Sequence, residues 1–302
     1  MKRIFLYINE YASETNKTVF AASVLFVALA IFINYHFGLN QAINAASEPL
    51  QFFSWLAVFL LAFWFAYLLQ AVFQKSSVFG SKKAVALLII GPVLFAWKMS
   101  FNLDFHFSDN AAENAYWNHV VYWPAKLLVV ALALYFVWLF VDRDQPFYGV
   151  SVKNFSPRPY FIMLLIMVPL IAAASTQPDF LALYPKLKNV QQLTSGGNSG
   201  FYNLLYELAY GSDFFSIELF FRGFLVLAFA RWAGKDAILP MAIFYCTIHF
   251  GKPLGECISS FWGGLLLGIV TYHTRSIFGG LIVHLGIAWL MELGGYLGNL
   301  YW

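Results

Sequence analysis

Long apolar runs separated by short polar segments dominate the chain. Runs without Asp, Glu, Lys or Arg cover 18–47, 49–74, 84–97, 127–141, 159–178, 257–274 and 276–291. A helix that crosses a bilayer needs roughly 20 mostly apolar residues. The runs are continuously apolar and do not alternate as the strands of a membrane β-barrel would. The pattern predicts an all-α, polytopic transmembrane helix bundle with about nine spans, near 18–37, 51–74, 84–98, 125–141, 159–177, 212–231, 235–250, 257–273 and 276–298.

Composition supports the membrane interpretation. Of the 302 residues, 61% are hydrophobic and 11% are charged, whereas soluble domains carry about 25% charged residues. We therefore expect an integral, multi-pass protein, and we place it in a bacterial inner (cytoplasmic) membrane. No stretch of basic residues interleaved with aromatics indicates nucleic-acid binding. The two cysteines, Cys246 and Cys257, lie in or beside apolar runs, and we expect packing roles without a disulfide framework.

Basic residues in the loops favour a cytoplasmic N-terminus by the positive-inside rule. With that orientation most Lys and Arg fall on the inner side, and the outer segments hold only Lys98, Lys126, Lys186, Lys188 and Lys252.

Glycine usage divides the chain. Eleven of the 21 glycines follow residue 250, and spacings such as Gly264/Gly268 and Gly294/Gly298 let membrane helices approach closely. The segment 178–200 ends in a run rich in Gly, Ser and Asn that is typical of a linker. We predict a five-helix membrane scaffold over 1–198 and a tightly packed core domain over 199–302.

Ionisable residues cluster in that last third, in or at the edges of predicted spans: Glu207, Asp213, Glu218, Arg222, His249, Glu256, His284 and Glu292. A charge at the bilayer centre costs at least ~2.5–3.5 kcal/mol on insertion scales. Ionisable side chains are found within membrane spans when they are paired, hydrated or required for function. This cluster is therefore the main functional signal in the sequence.

Glu218 and Arg222 lie one helical turn apart and share a helix face. They form either a structural ion pair or part of a site in which the arginine keeps the glutamate ionised. Gly223 follows directly, and a glycine there allows a neighbouring backbone to come close.

The next two segments add histidines. His249 ends an apolar run, and the following Pro253 with its flanking glycines predicts an irregular turn that carries Lys252 and Glu256. His284 lies inside the last span with no charged residue within one turn, so it needs a partner on another helix. Glu292 is interpreted as an interfacial or helix-packing carboxylate.

Several chemistries fit this set. A histidine and a glutamate can activate a water molecule, while a second histidine donates to a developing oxyanion. His249, His284 and Glu218 could instead hold a divalent metal such as zinc, although neither HExxH nor CxxC is present. A transporter or proton relay would use the same charges but lacks the repeat symmetry of many transporters.

The order of these residues resembles a known family. Glu-Leu-Phe-Phe-Arg-Gly at 218–223, a helix ending in His249 and a helix carrying His284 are similar to the CPBP family. These CAAX-protease and bacteriocin-processing proteins, which include Rce1-like prenyl endopeptidases, are intramembrane peptidases with the motifs EExxxR, FxxxH and HxxxN. The resemblance covers about 200–302 and places Tyr245 at the phenylalanine of the second motif.

The resemblance implies peptide-bond cleavage at or within the membrane. Water would be activated by the first glutamate of EExxxR and by His249, and an oxyanion would be bound by His284 and the asparagine of HxxxN. Two positions depart from the motifs: Ile217 replaces the first glutamate and Ala288 the asparagine. Glu218 or Glu256 would then supply the carboxylate, giving Glu218, Arg222, His249, Glu256 and His284 as candidate catalytic residues.

The same departures favour an alternative function. A non-catalytic relative would bind a peptide or membrane protein and act as an assembly factor or complex subunit.

Overall fold

The protein is built from α-helices, and the computed structural model describes residues 2–74, 78–153, 155–190 and 199–301. These ranges contain no β-strand, so the predicted all-α fold is confirmed. The helices are α1 (Lys2–Glu14), α2 (Lys17–Phe37), α3 (Leu39–Asn44), α4 (Glu48–Gln74), α5 (Lys82–Ser100), α6 (Ala111–Val137), α7 (Arg158–Ala174), α8 (Pro178–Leu183), α9 (Ser199–Glu218), α10 (Ala230–Ala233), α11 (Ile238–Thr247), α12 (Leu254–Thr274) and α13 (Phe278–Tyr301).

Two of these helices continue in π geometry. Trp138–Asp142 follows α6, and Leu219–Ala228, here called the π-segment, follows α9. Short 3₁₀ turns occur at Val78–Gly80, Lys186–Val190 and Gly234–Ala237. π-Helical turns are rare and recur at functional sites, and the π-segment begins directly after Glu218.

Capping residues determine where α2 begins and ends. The Asn16 side chain accepts hydrogen bonds from the backbone N–H groups of Thr18 and Val19, which have no partner inside the helix. Gly38 ends the helix with φ of 66°, in the left-handed region where glycine carries no steric cost.

Among the described residues, six helices are long and apolar enough to cross a membrane: α2, α4, α5, α6 with its π extension, α12 and α13. The chain is therefore an integral membrane protein. The apolar α7 is shorter, with 17 residues. The ten residues of α11 are all buried. At 1.5 Å per residue they span about 15 Å, half of the hydrocarbon thickness. The nine-span count stays a prediction.

The helices form two compact units. The first comprises the described residues of Met1–Phe101, Ala133–Phe155 and Leu219–Ile277. Its core lies around α11 and the π-segment, in which every residue is buried. Aromatic rings fill this core, with the Phe95 ring centroid 4.8 Å from that of Phe220 and 4.9 Å from that of Phe221. An apolar surface on all sides is typical of a helix that is buried within protein, as α11 is, whereas the π-segment also buries the charged Arg222.

Gly223 provides the close backbone approach that the sequence predicts. A Cβ atom on Gly223 would lie 2.5 Å from the backbone oxygen of Tyr148. Only glycine therefore lets the π-segment pack against this backbone.

The second unit comprises the described residues of Asn102–Leu132, Ser156–Glu218 and Phe278–Trp302. Here α13 packs against α7, α8 and α9. Glycines of α13 allow other segments to pack closely: Gly279 lies against the Tyr160 ring and Gly295 against the Tyr184–Pro185 peptide. Small residues at such contacts are typical of tightly packed membrane helices.

One sequence interpretation changes, and another stays untested. Lys126, which the sequence placed in an outer segment, lies inside the continuous α6, is buried, and donates to the Tyr122 hydroxyl. A lysine is a good helix former, so its charge did not end the helix. The predicted domain boundary at 198/199 falls beside residues 191–198, outside the described residues, and the division into 1–198 and 199–302 stays a prediction.

Candidate functional site

The second unit brings Glu218 and His284 together. Glu218 is the last residue of α9 and is fully buried, and His284 lies in the second turn of α13. The His284 Nδ1 atom is 3.0 Å from the Glu218 Oε1 atom. An ionised carboxylate only accepts hydrogen bonds, so with that form of Glu218 the contact requires a proton on Nδ1, and a neutral ring then has its lone pair on Nε2. This is the arrangement by which a carboxylate orients a histidine base.

Two neighbours enclose this pair. The Phe214 ring, one turn before Glu218, meets the His284 ring edge-on with centroids 4.7 Å apart. Gly280, one turn before His284, faces the Glu218 carboxylate so closely that no Cβ atom fits there. The sequence analysis missed both residues because neither is ionisable.

The first unit contains Arg222 and His249. Arg222 lies in the π-segment, is fully buried, and places its guanidinium carbon 4.1 Å from the centroid of the Tyr245 ring. A cation over an aromatic face is stabilised most when both are desolvated. The predicted pairing of Arg222 with Glu218 stays a prediction.

His249 is held by the same tyrosine. Its Nδ1 atom lies 3.0 Å from the Tyr245 backbone oxygen, and the two rings pack 4.7 Å apart. A carbonyl oxygen only accepts, so Nδ1 donates and Nε2 carries the lone pair in the neutral ring. Gly264 of α12 leaves room for the Tyr245 ring, with a hypothetical Cβ atom 2.8 Å from it. Tyr245 thus positions both polar residues, a role that its place in the second motif did not reveal.

Glu256 does not lie on an irregular turn, which corrects the sequence prediction. Pro253 is the N-cap of α12, and Glu256 occupies the first helical turn. Proline is compatible with a helix start, and an acidic side chain there interacts favourably with the helix dipole. Its Oε1 atom lies 3.4 Å from Nζ of Lys252, and the glutamate side chain is 18% exposed.

No metal centre emerges from the described residues: they contain no group of three or more His, Cys, Asp or Glu side chains arranged to hold an ion. The alternative that His249, His284 and Glu218 bind zinc gains no support from this geometry. Cys246 and Cys257 are free thiols and both are buried, in accord with packing roles.

Glu292 has a structural role. Its carboxylate accepts hydrogen bonds of 2.8–3.3 Å from the backbone N–H groups of Lys186 and Leu187. These groups begin the 3₁₀ turn Lys186–Val190, whose first N–H groups lack partners within the turn. The carboxylate therefore caps this turn.

Comparison with known proteins identifies the region that holds the site. Residues 208–290 match the family described as type II CAAX prenyl endopeptidase Rce1-like. No curated protein and no solved structure matches the chain. The matched segment runs from α9 through α13 and includes Glu218, Arg222, His249, Glu256 and His284. Over residues 208–290, this integral membrane protein is therefore similar to the Rce1-like type II CAAX prenyl endopeptidases, which supports the resemblance to the CPBP family.

Proposed function

We propose that this protein is an intramembrane endopeptidase that hydrolyses peptide bonds at or within the membrane with a water activated by Glu218 and His284. The single observation that carries the proposal is the 3.0 Å contact between His284 Nδ1 and the buried Glu218 carboxylate. The substrate class is a peptide or a membrane protein.

Each member of the pair has a defined task. Nε2 of His284 takes a proton from water as the water oxygen attacks the peptide carbonyl carbon. Glu218 fixes the ring tautomer and stabilises the imidazolium that forms. The same Nε2 proton then passes to the leaving amine when the C–N bond breaks. General acid–base catalysis of this kind contributes typically 10²–10⁴-fold.

This assignment differs from the roles that the family motifs imply. With Ile217 at the first glutamate position, Glu218 is the carboxylate that the motif retains, and its contact with His284 favours a base role for that histidine. His249, to which the resemblance assigns water activation, remains a candidate catalytic residue. Arg222 and Glu256 also remain candidate catalytic residues from the sequence.

A non-catalytic relative is the second candidate function, and two substitutions favour it. Ile217 and Ala288 are buried apolar residues where the motifs have a glutamate and an asparagine. Loss of an oxyanion donor costs ~2.7–4 kcal/mol in the transition state. Such a protein would bind a membrane-protein partner and assist its assembly.

Turnover by the purified protein separates the two functions. We expect proteoliposomes to cleave at least one of a panel of quenched-fluorescent peptides that carry an apolar membrane anchor. Glu218→Gln, His284→Gln and His249→Ala should each lower kcat about 10²- to 10⁴-fold. Glu48→Gln and His36→Gln change exposed residues of the same types and serve as matched controls. Absence of turnover together with a stoichiometric co-purifying membrane protein would favour the second function.

We also propose a bacterial inner-membrane location with a cytoplasmic N-terminus, and a division into a scaffold over 1–198 and a peptidase core over 199–302. The loop charges support the orientation. Both native cysteines are buried, so an Asn9→Cys variant on the exposed face of α1 reports sidedness. A membrane-impermeant maleimide should label it in inverted vesicles and not in intact cells.

A further inference from the structure

We propose that Phe214 and Gly280, which lie outside the three family motifs, are positioning residues that fix the ring plane and tautomer of His284 against Glu218. As a catalytic assignment this inference rests on the proposed peptidase function.

Phe214 restrains the imidazole. The two rings meet at an interplanar angle of 66° with centroids 4.7 Å apart, the edge-to-face geometry that aromatic pairs favour. The hydrogen bond through Nδ1 holds one atom of the ring. Contact with Phe214 limits rotation of the imidazole about its Cβ–Cγ bond and thereby sets the direction in which Nε2 points. Phe214 is itself held by Tyr210, with centroids 5.1 Å apart.

Gly280 restrains the carboxylate. The Oε2 atom of Glu218 lies closer to the position of a Cβ atom on residue 280 than van der Waals contact allows, and the carboxyl carbon lies 3.0 Å from that position. The absence of a side chain at Gly280 therefore leaves the space that the buried carboxylate occupies. Any larger residue has to push the carboxylate away, since the end of a side chain moves more easily than a helix backbone.

The two contacts are reciprocal. On α9, Phe214 precedes Glu218 by four residues, and on α13, Gly280 precedes His284 by four residues. Residues four apart lie on one helix face, so each helix supplies one member of the pair and the residue that restrains the other member. Such packing holds the base in one position. This matters for catalysis because a misplacement of about 1 Å can cost 10²-fold in rate.

A spectroscopic test separates positioning from a merely structural role. The full-length protein is labelled with ¹⁵N-histidine in detergent micelles, and the His284 signals are assigned by their loss in His284→Gln. We expect the wild type to show a single tautomer protonated at Nδ1. Phe214→Met keeps the side-chain volume and removes the ring; it should give averaged tautomer signals. Its kcat should fall about two- to tenfold at unchanged KM, the range of one aromatic pair.

Gly280→Ala should displace the Glu218 carboxylate, remove the Nδ1-protonated signal and lower kcat about 10²-fold. The control for Phe214→Met is Phe215→Met. This change also replaces a phenylalanine of α9, but the Phe215 ring packs on Phe278, with centroids 6.4 Å apart. The control for the glycine is Gly263→Ala, since a Cβ atom there meets nothing within 4 Å. Both controls should match the wild type in spectrum and kcat.

The positioning proposal is overturned if Phe214→Met gives the same His284 spectrum as Phe215→Met, or if the spectrum changes while kcat does not. Should Gly280→Ala fail to fold, the Phe214→Met comparison decides alone. If the wild type cleaves none of the peptides, the peptidase function fails, and the ¹⁵N spectra still decide whether Phe214 and Gly280 fix the His284 ring.

Discussion

Replacement of Gly223 by alanine tests the packing of the π-segment. The added methyl carbon would lie 2.5 Å from the Tyr148 backbone oxygen and 3.2 Å from the Tyr148 Cβ atom. Since Cβ atoms in real structures essentially never come closer than 3.0 Å to a neighbour, one of two buried backbone segments has to move by at least about 0.5 Å. Overpacking of this kind costs typically ~1–3 kcal/mol.

Alanine also has the higher helix propensity, which offsets up to about 1 kcal/mol. Because the closest atom belongs to a backbone and cannot rotate away, we expect the upper part of the overpacking range. The net loss of unfolding free energy should be about 1–2 kcal/mol. Gly263→Ala has the same propensity gain without the clash, so it should be neutral or stabilising by up to about 1 kcal/mol.

The assay is unfolding of both variants in one detergent, by temperature and by titration with a denaturing detergent. The predicted outcome is a lower midpoint for Gly223→Ala and an unchanged or higher one for Gly263→Ala. Equal midpoints for the two variants would refute the inference that the Tyr148 backbone requires glycine at position 223.

Three further predictions concern stability and reactivity. Glu292→Ala leaves backbone N–H groups of a 3₁₀ turn without their acceptor and should lower the unfolding free energy by about 1–3 kcal/mol; an unchanged thermal midpoint would contradict the capping role. Tyr245→Leu removes the ring beneath Arg222 and should cost about 2 kcal/mol more than Tyr245→Phe, which keeps it; the reverse order of midpoints would exclude a cation–π contribution. Cys246 and Cys257 are buried and should react with a maleimide only after denaturation, as mass spectrometry can show; rapid labelling of the native protein would contradict their burial.

Much of the fold follows from the sequence because continuous apolar runs admit only a few structures in a membrane protein. The backbone must satisfy its own hydrogen bonds in lipid, so these runs become helices. The Gly223 prediction succeeded for a related reason: a glycine beside a buried charge has few purposes other than close approach. Hydropathy alone does not classify α11, since a helix buried in protein on all sides has the same apolar composition as a membrane span.

The candidate site was predictable as a set of residues but not as a set of contacts. Glu218 and His284 are 66 residues apart in sequence, and helix periodicity relates only near neighbours. His284 was expected to need a partner on another helix, which is correct, but nothing local identifies Glu218 as that partner. Pro253 was interpreted as a breaker although proline serves equally at a helix start, and Glu256 was therefore misplaced.

The most direct test of the central claim is mass-spectrometric analysis of anchored peptides incubated with wild-type and Glu218→Gln protein in the same lipid. The account predicts two new peptide termini at one bond with the wild type, and a yield at least about 10²-fold lower with Glu218→Gln. Equal cleavage by both proteins, or no cleavage by the wild type while a membrane-protein partner co-purifies at a fixed ratio, would contradict it.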